Sequence, residues 1–97
     1  MSPEEDISSI IKQYLSGSGI GKKLKRYRIF NHWPEIVGQK ISSKTKPEKL
    51  FKGILYISVA SSAWANEMSL MSRRLVKEIN KFIGEDIVKE LRFKIQE

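Results

Sequence analysis

The stretch from Gly53 to Ile95 constrains the fold most. Ile54-Leu55-Tyr56-Ile57-Ser58-Val59-Ala60 is β-branched and almost continuously apolar, which reads as a central strand covered on at least part of both faces. Ser61 or Ser62 can cap a helix over about residues 62–83, where Trp64, Met68, Met71, Leu75, Ile79 and Phe82 recur at spacings of 4, 3, 4, 4 and 3. Gly84 stops that helix. Leu91, Phe93 and Ile95 then alternate with Glu90, Arg92, Lys94 and Gln96, the pattern of a strand with one dry and one wet face. A strand, a helix and a returning strand bury their apolar sides together when the helix lies on one face of the sheet.

The residues upstream complete the arrangement. Leu50-Phe51 before Lys52-Gly53 makes a hairpin with the central strand, preceded by a polar connection, Lys44 to Glu48. Pro34 opens a second segment to about Ser43, or kinks one long helix, with Ile36, Val37 and Ile41 as its apolar side, and Gly38 marks a break or a close backbone approach. Lys22 to about Asn31 is a basic amphipathic helix carrying Leu24, Tyr27, Ile29 and Phe30. Ser16 to Gly21 is a glycine-rich joint. Ahead of it, Ser2-Pro3-Glu4-Glu5 is a capping box, and Ile7, Ile10, Ile11, Tyr14 and Leu15 form one helical stripe. The expected fold is α+β, in the order α-α-β-β-α-β, with a small three-stranded sheet covered by helices on one face. Residues 1–21 form the N-terminal helix and joint and residues 22–97 the main domain, as one compact unit. The order resembles a KH-like arrangement.

With 97 residues, 40% hydrophobic and 30% charged, the chain has the size and balance of one small soluble domain. No apolar run approaches the roughly 20 residues of a membrane span, and the acidic N-terminus lacks the apolar core of a secretory signal. There is no cysteine, hence no disulfide framework and no thiolate metal site. These features point to the cytoplasm and away from a membrane. The net charge is +7, and residues 22–52 alone hold ten bases and two acids. A basic surface so concentrated attracts phosphate backbones or acidic protein faces.

Catalysis finds little support. His32 is the single histidine, so no histidine pair can bind zinc, and nothing gathers it with a serine and an aspartate as a triad. The acids show no metal-ligand or paired-carboxylate spacing. The expectation is no catalytic residue, no metal and no cofactor. Gly17-Ser18-Gly19-Ile20-Gly21-Lys22-Lys23 fails the phosphate-loop pattern, because Lys23 stands where serine or threonine should follow the lysine. It reads first as a linker, and second as a set of backbone amides able to hold one phosphate. Tyr27, Phe30 and Trp33 are interleaved with cations, as in single-strand binders. Core spacing with Ile36 and Val37 favours packing for Phe30 and Trp33, and Trp64 likewise reads as core. Tyr56, opposite Leu55, Ile57 and Val59, is the aromatic most free to be exposed.

From Trp33 onward the chain resembles the DciA-like family, long catalogued as a domain of unknown function. Trp33-Pro34-Glu35-Ile36-Val37-Gly38-Gln39-Lys40-Ile41 is similar to its W-x-x-I-V-G-x-x-I element. Pro47 followed by Gly53 to Val59 resembles its P…G-x-L-x-V-x-V strand, and Ser61 to Met68 its S-S-x-W-A-x-E-L helix start. Ile79-Asn80-Lys81-Phe82-Ile83-Gly84 resembles L-N-x-x-x-G, and Val88 to Ile95 its closing strand. The resemblance covers about residues 20–96. It implies a KH-like domain in a bacterial DNA-replication factor, non-catalytic, that binds the replicative DnaB-type helicase and single-stranded DNA to assist helicase loading.

On that reading the phosphate-neutralising residues are Lys22, Lys23, Lys25, Arg26 and Arg28, with Lys40, Lys44, Lys46, Lys49 and Lys52 as a second group. The alternatives are a KH-like RNA-binding module, against which the missing Gly-x-x-Gly loop counts, and a pure protein-interaction domain.

Overall fold

A computed structural model of the chain describes residues 20–96, with side chains from Lys23 onward. The expected N-terminal helix and most of the glycine joint lie outside the described residues. The elements are α1 (Ile20–Asn31), α2 (Trp33–Val37), α3 (Gln39–Ser42), β1 (Thr45–Phe51), β2 (Ile54–Val59), α4 (Ser62–Leu70), α5 (Ser72–Ile83) and β3 (Glu90–Ile95). This is an α+β fold around one three-stranded sheet in the order β1-β2-β3. β2 is central, antiparallel to β1 and parallel to β3.

The helices cover one face. Leu55, Ile57 and Val59 of β2 are buried there with Leu91 of β3, against Ile29 of α1, Met68 of α4 and Leu75 and Ile79 of α5. Trp33 is core, at 3% exposure. Its indole N–H donates to the Thr45 hydroxyl at 2.9 Å, and that hydroxyl donates to the Ile41 carbonyl at 2.7 Å. The relay thereby ties α2 and α3 to the start of β1 without leaving the buried indole N–H unpaired.

Several boundaries differ from the sequence expectation, each for a local reason. α1 takes in Ile20 and Gly21, which the sequence pattern assigns to the joint. The segment after Pro34 is two short helices. Gly38, with φ at 95° and ψ at 159°, sits in a conformation open to glycine alone, and no atom lies within 4 Å of the place its Cβ would take. Gly38 is therefore a break and not a close approach. The helix expected over 62–83 is also divided, at Met71. The Ser69 hydroxyl donates to the Ala65 carbonyl at 2.9 Å, the back-bonding that bends helices. Finally, the expected polar connection before the hairpin is strand: β1 begins at Thr45, which pairs with Val59. Pro47 is tolerated because β1 is an edge strand, and the register shift between Pro47 and Lys49 absorbs one residue as a bulge.

Other expectations hold. The Ser61 hydroxyl accepts from the Trp64 N–H, capping α4. Gly84 closes α5 in the left-handed conformation at φ 85°. Lys52 and Gly53, at φ 49° and 80°, form the two-residue hairpin turn, whose central residues both need positive φ. The Gly53 carbonyl accepts from the Lys89 and Glu90 N–H groups at 2.7 and 3.2 Å, which brings the chain entering β3 against the turn.

Asn80 sets that entry. Its buried side-chain amide donates to the Val88 carbonyl at 2.8 Å and accepts from the Val88 N–H at 2.9 Å. Asn80→Ala removes both bonds and leaves a buried N–H unpaired, which should cost about 2 kcal/mol and lower the thermal midpoint by roughly 10 °C. A melt followed by circular dichroism checks it; an unchanged midpoint would rule out these bonds as a determinant of stability. Gly53→Val meets a strained φ and a Lys89 side-chain carbon 3.1 Å from the new Cβ. It should be destabilised by about 1–3 kcal/mol in the same melt, and Gly53→Asn by less, since asparagine tolerates left-handed backbone.

Candidate nucleic-acid interface

The ten candidate cations fall into three groups. The first surrounds a cleft of about 550 Å³ between the start of α1, the β1–β2 turn and the segment before β3. Lys23 and Arg26 of α1 and Lys52 of the turn line it, with Phe51, Glu85 and Ile87. Phe51 is 56% exposed, and the Lys52 ammonium lies 5.3 Å from its ring centroid. The cleft thus joins an exposed aromatic ring to positive charges from two elements far apart in sequence. Lys25 also lines it, but pairs with Glu85, which ties α1 to the loop after α5 and spends one of the cleft's charges internally. Lys22 belongs to α1, one residue from Lys23.

The second group lies on the sheet face away from the helices. Along β1, Thr45, Pro47 and Leu50 turn toward the core while Lys46 and Lys49 are exposed. The pairings align Lys46 with Ser58 and Lys94, and Lys49 with Tyr56 and Arg92. Tyr56 is half-buried, less exposed than Phe51 or Tyr27, so the expectation that it is the freest aromatic fails. The reason is its central strand: neighbours on both sides flank the ring, and the Lys49 ammonium lies 4.7 Å from its centroid. Sequence reasoning did not bring Arg92 and Lys94 to this face, although their alternation with Leu91, Phe93 and Ile95 marks them as its wet side.

The remaining cations stand apart. The Arg28 guanidinium lies 5.3 Å from the Phe82 ring, on the α5 side of α1 and not in the cleft. Lys40 on α3 and Lys44 before β1 are exposed at the opposite end of β1 from Lys52. Seven residues of strand separate Lys44 from Lys52, about 25 Å at the usual rise.

His32 shares the Phe82 ring, with centroids 5.6 Å apart, and its Nδ1 lies 3.1 Å from a Glu35 oxygen. That is packing and surface hydrogen bonding. Among the described residues, no three His, Cys, Asp or Glu side chains gather as a metal site would need. Among them, too, no helix is long and apolar enough to cross a membrane.

The family model described as "Dna[CI] antecedent, DciA" matches residues 6–93. A UPF0232 protein of Corynebacterium glutamicum (strain R) is 31% identical over 88 residues, which is 91% of this chain and 49% of that protein. A UPF0232 protein of Rhodococcus jostii (strain RHA1) is 31% identical over 74 residues, covering 76% of this chain and 39% of that one. A UPF0232 protein of Mycobacterium tuberculosis (strain ATCC 25618 / H37Rv) is 30% identical over 64 residues, or 66% and 34%. The chain thus spans half or less of the length of these relatives. The match over residues 6–93, with relatives 31% identical, shows that this chain belongs to the DciA family.

Proposed function

We propose that the chain is a non-catalytic DNA-replication accessory protein that binds the replicative DnaB-type helicase and single-stranded DNA and assists loading of the one onto the other. The family match over residues 6–93 carries this reading. The cleft supplies a physical basis for the DNA half. Lys23, Arg26 and Lys52 offer positive charge to phosphates around an exposed Phe51 ring on which a base can stack. Lys22, Lys25, Arg28, Lys40, Lys44, Lys46 and Lys49 contribute to the surrounding field, which steers a polyanion toward the domain.

Direct RNA reading by a KH-type clamp has less support. The corner between α4 and α5, Ser69-Leu70-Met71-Ser72, contains no glycine, and it exposes the apolar Leu70 beside Ser69. A Gly-x-x-Gly backbone clamp needs residues that let the phosphate approach the main chain.

Titration of the purified replicative helicase with this protein, with and without labelled single-stranded DNA, tests the reading. The expected result is a saturable protein–helicase complex and increased helicase occupancy on the DNA. No helicase binding at any concentration would remove the loading role. For the DNA half, Lys23→Glu/Arg26→Glu/Lys52→Glu should weaken binding to a single-stranded oligonucleotide by tenfold or more at low salt. It should also flatten the dependence of log K on log salt by about 0.7 for each phosphate no longer neutralised. Wild-type affinity in that variant would take the cleft out of the interface.

A further inference from the structure

We infer that the open face of the sheet is a second surface for single-stranded DNA, beyond the cleft, with Tyr56 as the stacking residue and Lys46, Lys49, Arg92 and Lys94 as the phosphate-binding cations. This rests on the DNA half of the proposed function and extends it to residues of β2 and β3.

Strand register builds the surface. The pairing places Lys49, Tyr56 and Arg92 in one row across the sheet and Lys46, Ser58 and Lys94 in the next. Side chains alternate along each strand, so these six share the face opposite Leu55, Ile57 and Leu91. Neighbouring strands are about 4.8 Å apart, which sets the outer cations of each row about 10 Å apart with the middle residue between them. Four positive side chains therefore frame one central aromatic ring. The row nearest the turn, Phe51, Ile54 and Glu90, carries no cation, so the positive charge lies toward the other end of the face.

The chemistry suits a single strand. A base is flat and has a π-face whatever its sequence, and an aromatic ring on a sheet surface can receive it while flanking cations hold the backbone. The Lys49 ammonium already lies 4.7 Å over the Tyr56 ring. Lys49 is itself exposed, so its flexible stem can move aside to a phosphate and leave the ring face to a base. Arg92 pairs with Glu90 at 2.9 Å, but the two side chains are 59% and 52% exposed. Exposed pairs of this kind contribute little, so a phosphate can replace the carboxylate. A duplex, with its bases stacked inside, offers nothing to Tyr56. The face should therefore prefer single strands to duplex by more than charge alone explains.

The test uses the whole chain and a fluorescein-labelled oligothymidylate of about 20 nucleotides, long enough for one such surface, followed by anisotropy at two salt concentrations. Lys46→Ala/Arg92→Ala/Lys94→Ala should weaken binding about tenfold at low salt and lower the salt slope by about 0.7 for each phosphate left without its cation. Tyr56→Leu should weaken single-strand binding by about fivefold or more and leave duplex binding within twofold, whereas Tyr56→Trp should restore it. Photocrosslinking to a bromodeoxyuridine oligonucleotide should label the peptide that contains Tyr56. If Tyr56→Leu does not fold, the three exposed cations and the crosslink still decide. Sheet-face variants that bind within twofold of wild type, while the cleft variant loses binding, would overturn this inference and leave the proposed function standing. A wild-type chain that binds no oligonucleotide would overturn the DNA half of the proposed function and this inference with it. Tenfold tighter binding of a matched oligouridylate, lost on Tyr56→Leu, would assign the face to RNA and overturn the DNA assignment.

Discussion

The two hydrogen bonds between the Asn80 side chain and the Val88 main chain fix the geometry on which the rest depends. A parallel strand cannot be reached by a tight turn; β3 arrives beside β2 after two helices and a loop. Without a fixed point in that loop, β3 could pair one residue out of step. Asn80 bonds Val88 as a neighbouring strand would. Gly84 ends the helix just before, and the Gly53 carbonyl receives the next two N–H groups of the chain. Leu91 then faces Leu55 across the ladder. A slip by one residue would turn Arg92 and Lys94 into the core and Leu91 and Phe93 out to solvent. The same polar pairing that stabilises the loop therefore decides which side of the sheet is basic.

The basic surfaces are arranged by topology as much as by composition. Residues 22–52 hold most of the excess charge, yet they reach several different places. α1 aims Lys23 and Arg26 at the hairpin turn, where Lys52 joins them, β1 turns Lys46 and Lys49 to the sheet face, and Arg28 settles over Phe82. One acid, Glu85, reaches into the cleft to pair with Lys25. The other cleft cations have no such partner among the described residues. They repel one another at a cost in folding energy that an anionic ligand would relieve.

Much of this architecture is readable in the sequence. The continuous apolar run predicts the central strand, Lys52-Gly53 the turn, Ser61 the cap and Gly84 the helix end, because each depends on chemistry within a few residues. The break at Met71 is not readable from the apolar stripe, which runs on in phase from Met68 to Leu75. The Ser69 back-bond that accompanies it shows only in three dimensions. The start of β1 escapes a local reading because Thr45 to Glu48 is polar and contains proline, and what makes it a strand is pairing with Ser58 and Val59. Of the candidate site, charge alone finds the cations of α1 and the turn. That Lys46 and Lys49 share a face with Tyr56, Arg92 and Lys94 follows from long-range register, which no local pattern encodes.

Lys52 carries a tension of its own. It is the one described residue other than glycine with positive φ, at a position where asparagine or glycine would sit with less strain. Its ammonium lines the cleft beside Phe51. A library selected for heat resistance alone would replace it, tightening the hairpin and emptying the cleft of a charge in the same step. If the cleft binds DNA as proposed, thermostability and affinity pull this one codon in opposite directions, and an engineer who optimised the first would lose part of the second without touching any other side chain.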